Sequence, residues 1–286
     1  MSDPFPAWLL PALAAVTVFT VMFSIGLGIA PRELLLVWRR PGLMLKALLA
    51  VLVLVPTIAW AVCLALDLPR AVAVGIMLMA IAPGAPLALQ RSLGAGGHHG
   101  FAPTLQITVA VMAVVSMPLS VAVINIVYDT HASISPLQLM KQVMMVQLLP
   151  LAIGVATGRW LPRAAGWLRP RLGVLGKALL ALLVLYVAFA FRQDLARAGT
   201  GMVLAMALVT LGALALGHAL GGPDPATRTP VAIVSAARNP GLALLTATLN
   251  AAPATVTAVI PVYIFVSAIT MLPYILWRGR RGPRIA

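Results

Sequence analysis

The sequence predicts an all-α polytopic membrane protein of about nine transmembrane helices, and three observations carry that prediction. Hydrophobic residues fill 62% of the 286 positions, charged residues only 9%, and the mean hydropathy is +1.03. Soluble domains carry roughly 25% charged residues, so a water-facing fold is excluded. The apolar runs are about 20 residues long, which as helix crosses a hydrocarbon layer of about 30 Å. Short polar connections separate them and hold nearly all the charge, leaving room for a single membrane domain, 1–286, and no soluble one.

The first run, about 8–29, follows Asp3 and has neither a basic leader nor a small-residue cleavage site, so it is expected to remain as a helix. The Arg39-Arg40-Pro41 turn opens the second, about 43–66, which stops at Asp67. The third, about 71–92, is interrupted by Pro83-Gly84-Ala85-Pro86. A glycine-rich loop, Gly94 through Gly100, leads to the fourth, about 104–127, which ends before Asp129. The fifth, about 137–157, and the sixth, about 175–191, are separated by a basic connection, and Asp194 follows the sixth. The seventh, about 200–220, precedes Asp224. The eighth, about 229–249, is interrupted at Arg238-Asn239-Pro240-Gly241, and the ninth, about 255–277, runs into an Arg-rich end.

The basic residues test that count. With nine spans, Arg32, Arg39, Arg40, Lys46, Arg91, Arg159, Arg163, Arg169, Arg171, Lys177, Arg228, Arg278, Arg280, Arg281 and Arg284 fall on one side, and only Arg70, Lys141, Arg192 and Arg197 on the other. Positively charged loops stay in the cytoplasm, which places the N-terminus outside and the C-terminus inside a cytoplasmic membrane. The formal charge of +14 is therefore a topology signal. Its carriers are scattered between spans and form no patch beside aromatics, so no nucleic-acid partner is expected. A lone cysteine, Cys63, excludes an intramolecular disulfide and reads as core packing. His98 and His99, adjacent in the glycine-rich loop, lack the further ligands a metal needs and read as a solvated turn. Neither metal nor other cofactor is expected.

The halves repeat. Span 71–92, broken at Pro83-Gly84, has its counterpart in span 229–249, broken at Pro240-Gly241, and each is flanked by apolar helices. Four spans, one unpaired span at about 137–157 and four again give repeat halves of about 8–127 and 175–277 in an inverted repeat, because an odd spacer helix flips the second unit. Proline donates no backbone hydrogen bond, and orphaned carbonyls cost several kcal/mol in hydrocarbon, so such breaks persist only against protein or a wet cavity. A matched pair of broken spans is the mark of a transporter binding site. Arg238 is the one charged residue placed well inside a span, and no Asp or Glu accompanies it.

These residues resemble the bile acid:sodium symporter family of secondary carriers over most of the chain. The carriers of the resemblance are Met22–Gly28 running into Pro31-Arg32-Glu33-Leu34, the Arg39-Arg40-Pro41 turn, the Ala82-Pro83-Gly84-Ala85-Pro86 break and Ala237-Arg238-Asn239-Pro240-Gly241-Leu242. The resemblance implies a core domain in which the two broken helices cross near the bilayer centre, a second panel-like domain, and alternating access by movement of one against the other. It also implies a nine-span version lacking the first helix of a ten-span one.

The departures are as informative. Sodium-using members place Glu and Gln in the second broken helix and Ser, Asn and Thr near the first. Here Val234 and Arg238 take the Glu and Gln positions, and Ala88 and Leu89 those of Ser and Asn. A guanidinium at about 4 Å opposes sodium by roughly 4 kcal/mol at an effective dielectric of 20, which argues against sodium coupling. Two roles fit Arg238. As a fixed positive charge in place of the cation it would pair with a small organic anion, whose carboxylate or sulfonate a guanidinium holds through two parallel bonds. As a structural residue it would bond carbonyls freed at the breaks.

Other candidates for the substrate site are Asn239, Pro83, Gly84, Ala85, Pro86, Pro240 and Gly241 at the breaks, Gln90 and Ser92 one turn on, and Gln106, Thr108 and Ser116 in the span that follows. Arg91 is expected to snorkel to the surface. Hydroxyls in membrane helices commonly bond their own backbone, a reading that also covers Thr246 and Thr248. An intramembrane enzyme would need acids, a nucleophile with a base, or metal ligands at depth, and none is present in the spans, so no enzyme is expected. A channel-like protein with the broken helices as pore lining is the remaining alternative. The Ala, Gly and Leu content points to close helix packing and leaves the oligomeric state open.

Overall fold

The computed structural model describes residues 6, 8–29, 40–129, 136–190, 192–193 and 199–281. Every regular element among them is helical: α1 (Leu9–Leu27), α2 (Pro41–Ala65), α3 (Arg70–Ala80), α4 (Pro86–Gly94), α5 (Phe101–Tyr128), α6 (Pro136–Trp160), α7 (Pro162–Ala190), α8 (Thr200–Leu220), α9 (Pro225–Ala236), α10 (Pro240–Leu249), α11 (Ala254–Thr257) and α12 (Val259–Arg281). Six stretches are long and apolar enough to cross a membrane by length and composition, namely α1, α2, α5, α6, α8 and Ala254–Arg280. The protein is an all-α polytopic membrane protein. Large apolar side chains such as Val53, Leu119, Val123, Ile126 and Leu185 stand on its outer surface, where lipid is the solvent.

Prolines set several helix starts. Pro86, Pro225 and Pro240 occupy the first turns of α4, α9 and α10, where the missing N–H has no helical partner to lose. Two spans absorb proline differently. In α2 the five residues Ala50–Leu54 are π-helical, and in α6 so are Met144–Leu148; Pro56 and Pro150 lie just beyond. Val55 sends its N–H to the Ala50 carbonyl. The next position is Pro56, which has none to give, so the Val51 carbonyl has no donor within its own helix.

The helices pack in two groups. α1 lies against α6 and α7, with Gly26 and Gly154 meeting so closely that a Cβ on Gly26 would sit 2.4 Å from the Leu151 carbonyl oxygen. Small residues let membrane helices approach in this way. In the second group α8 packs on α9, α12 and α2, α4 packs on α9, and α10 packs on α3 and α12. Its core contains Ile76, Met117, Met206, Leu242 and Tyr263, all fully buried, and Cys63 is buried in the same cluster. α10 touches α1 across the two groups, while α5 reaches α6.

One boundary differs from the sequence reading. A span was expected to begin near 175, yet α7 starts at Pro162 and runs unbroken through Arg163, Arg169, Arg171 and Lys177. Charged residues lower hydropathy without opposing helix, and Arg171 is held by its own helix through the Trp167 carbonyl at 2.7 Å and the Trp167 ring at 4.0 Å.

Candidate functional site

The interruptions in the sequence become two gaps between half-helices: residues 81–85 separate α3 from α4, and 237–239 separate α9 from α10. Each gap joins a helix C-terminus with free carbonyls to a helix N-terminus with free N–H groups. The gaps meet, and one satisfies the other. The Asn239 N–H donates to the Ala82 carbonyl at 2.9 Å, tying the two chain segments together. The Asn239 side chain accepts from the Leu242 N–H at 3.2 Å and caps α10. Gly84 turns the first gap with φ of +80°, a conformation only glycine adopts freely. At Gly241 a Cβ would fall 2.6 Å from Val18 of α1, so the second gap sits directly against that helix.

Arg238 lies in extended backbone between Ala237 and Asn239 and is 5% exposed. Its Nη2 donates to the Ser235 carbonyl at 2.6 Å, closing the C-terminal end of α9, where a cation is favoured by the helix dipole. Its Nη1 donates to the Val51 carbonyl at 3.1 Å, the group left without a helical donor by the π segment and Pro56. The Nε–H has no partner in the protein, nor has the Asn239 side-chain NH2. So the structure realises the carbonyl-bonding role and leaves one charged donor over.

Beside these two residues lies a cavity of about 110 Å³ between the helix groups. Thr17 and Val18 of α1, Leu183 of α7 and Ser267 of α12 wall it, with Ala85, Pro240 and Gly241 at the gaps. Arg91 enters from α4, half-buried and not displaced to the surface as expected. Two guanidiniums thus line one small cavity, and among the described residues no carboxylate does.

The remaining candidates scatter. Pro83, Gly84 and Pro86 shape the first gap, whereas Gln90 is exposed. Ser92, Thr108, Thr246 and Thr248 bond carbonyls of their own helices, those of Leu89, Thr104, Leu242 and Leu244. Thr246 also borders a separate cavity of about 530 Å³ near Arg70 and Asn250. The Ser116 hydroxyl is buried without a partner. His98 caps α5, its Nδ1 accepting from the Gly100 and Phe101 N–H groups at 3.1 Å, and no metal-binding cluster occurs among the described residues.

Gln106 is better placed. It is buried and donates to the Ala85 carbonyl at 3.2 Å, and Gln147 of α6 donates to the Ala110 carbonyl at 3.2 Å. Both amide groups face Gly84, and the oxygen of each is buried without a partner. Sequence reasoning did not single out Gln147. The available signal was a buried-depth amide three residues before the proline of an apolar run. Nor did it find the Val51 carbonyl, although Pro56 inside a span announces a freed acceptor nearby.

Interrupted helices whose gaps meet are a recurrent feature of secondary carriers. The model of the sodium bile acid symporter family matches residues 15–197, well over half of the chain, and the chain belongs to that family. The matched stretch contains the first gap and ends before the second. No curated protein matches the chain. The protein is a secondary transporter of the bile acid:sodium symporter type.

Proposed function

We propose that this carrier moves a small organic anion by alternating access, without sodium, and that the crossover of the two gaps is its binding site. The observation that carries the reading is the cavity lined by Arg91 and Arg238 with no carboxylate among the described residues. In a site shielded from water, one unit charge about 4 Å from another is worth roughly 4 kcal/mol at an effective dielectric of 20, so two cations select an anion and oppose a metal. The Nε–H of Arg238 and the NH2 of Asn239 are buried donors without a protein partner, on two residues that line that space. They suit carboxylate or sulfonate oxygens.

The donor set also argues against the family's cation. Sodium needs several oxygen ligands, but the carbonyls of Ala82, Ala85, Ser235 and Val51 already accept from N–H groups. Gln106 and Gln147 retain one free oxygen each. Movement of the α1, α6 and α7 group against the other helices would open the cavity to either side in turn, since its walls come from both groups.

The test is thermal unfolding of the purified protein with a panel of carboxylates and sulfonates, together with sodium, potassium and choline chloride at equal ionic strength. A ligand at a hundredfold excess over Kd stabilises by about 2.7 kcal/mol. Stabilisation by one anion class, lost in Arg91→Gln, with no difference among the cations, is the expected result. A sodium-specific rise would restore a symporter and overturn the reading. A channel is distinguished by uptake into vesicles, where a carrier saturates and shows counterflow.

A further inference from the structure

At the far end of α8, away from the crossover, His218, Tyr274 and Trp277 form an aromatic cluster. His218 Nδ1 and the Tyr274 hydroxyl are 2.9 Å apart, the His218 and Tyr274 rings meet edge to face at 5.8 Å, and Tyr274 and Trp277 pack at 5.7 Å. These side chains close one end of a groove of about 450 Å³ between α8 and α12, whose walls are Leu211, Leu214 and Pro273. Leu211 and Trp277 are exposed, so the groove opens on the lipid-facing surface.

Its closed end is strongly cationic. The Arg278 guanidinium lies 5.3 Å from the Trp277 ring and donates to two neutral oxygens, those of the Thr229 hydroxyl at 2.8 Å and the Pro225 carbonyl at 2.9 Å. Arg228 donates to the Gly222 carbonyl, and Arg280 is exposed one turn-half beyond. The nearby carboxylate, Asp224, is turned to the start of α9, where it accepts from the Ala226 N–H at 2.8 Å. Among the described residues here, Arg228 and Arg278 stand near the cluster, Arg280 follows on the same helix, and the one acid is already used as a helix cap.

We infer that the groove between α8 and α12 binds an anionic glycerophospholipid, with its phosphate beside Arg228, Arg278 and Arg280 and an acyl chain laid along Leu211, Leu214 and Pro273. The combination commits the site to a lipid. Apolar walls suit an acyl chain, and tryptophan and tyrosine with basic residues at one end of the groove mark the headgroup level. A zwitterionic headgroup would bring its own cation against the arginines, whereas a net-negative one is attracted by about fivefold per basic residue. The site is separate from the crossover cavity, but it touches the second broken helix: Arg278 of α12 holds the first turn of α9 through Pro225 and Thr229. Lipid there would hold the first half of the second broken helix against α12.

The experiment titrates the purified full-length protein in detergent with brominated phosphatidylglycerol or brominated phosphatidylcholine and follows tryptophan fluorescence. A quenching component at least fivefold more sensitive to phosphatidylglycerol is expected, absent in Trp277→Phe. The preference should fall in the Arg228→Gln/Arg280→Gln double variant, which leaves the Arg278 clamp in place. Equal quenching by the two lipids would overturn the inference, as would an undiminished preference in the double variant. So would relief of the quenching by inorganic phosphate at the same concentration, which would assign the arginines to a free anion.

Discussion

The two helix gaps face the same problem and solve it by opposite means. At the second gap the residues inside the break do the work: Asn239 caps α10 with its own side chain, and Arg238 closes α9 and reaches across to α2. At the first gap, 81–85, the residues are apolar or lack side-chain donors: Ala85 accepts from the Ala88 N–H of its own half-helix and from Gln106 of α5, and Ala82 accepts from the Asn239 N–H. One gap is closed by its own side chains, the other by main chain and a neighbouring helix. Substitutions at the second gap should therefore strand groups there and in α2, while the main-chain link to the first gap survives them.

Arg238→Met is expected to have the largest effect, because it strands the Ser235 and Val51 carbonyls. At about 1–3 kcal/mol for each buried orphan the loss is about 2–6 kcal/mol, measured by thermal unfolding in detergent, and Arg238→Lys should fall between that and the parent. Gly84→Ala comes next, at about 1–2 kcal/mol, the cost of a left-handed backbone with a Cβ. Asn239→Ala should cost about 1 kcal/mol, the worth of a cap, since its N–H bond to Ala82 survives the change. Gln106→Leu removes a bond to Ala85 but also a buried unpaired oxygen, and those opposing terms should leave stability within about 1 kcal/mol of the parent. Gln90→Ala, on an exposed side chain, should shift nothing beyond about 0.5 kcal/mol. If Gln106→Leu cost as much as Arg238→Met, the asymmetry between the gaps would be refuted.

Much of the fold was legible because hydropathy and charge act over whole segments. The run about 200–220 coincides with α8, and both interrupted spans do split at their prolines. The extension of α7 back to Pro162 was not legible because a basic helix outside the apolar run carries no hydropathic signal. Within the site, Arg238 and Asn239 could be picked out because a charge and an amide beside a proline have few places to go. Arg91 was assigned to the surface and instead lines the cavity, since the direction of a side chain on a short helix depends on what packs against it. The Val51 carbonyl was invisible for a deeper reason: a main-chain group has no letter of its own, and only the coincidence of a π segment with Pro56 sets it free.

The bond from the Asn239 N–H to the Ala82 carbonyl joins main chain to main chain. Any residue except proline at position 239 can supply the donor, and every residue at position 82 supplies the acceptor. The way the two half-helix pairs are knotted together is accordingly indifferent to which side chains decorate the centre. A joint of this kind can carry an amide or an arginine at position 238 while its frame stays as it was.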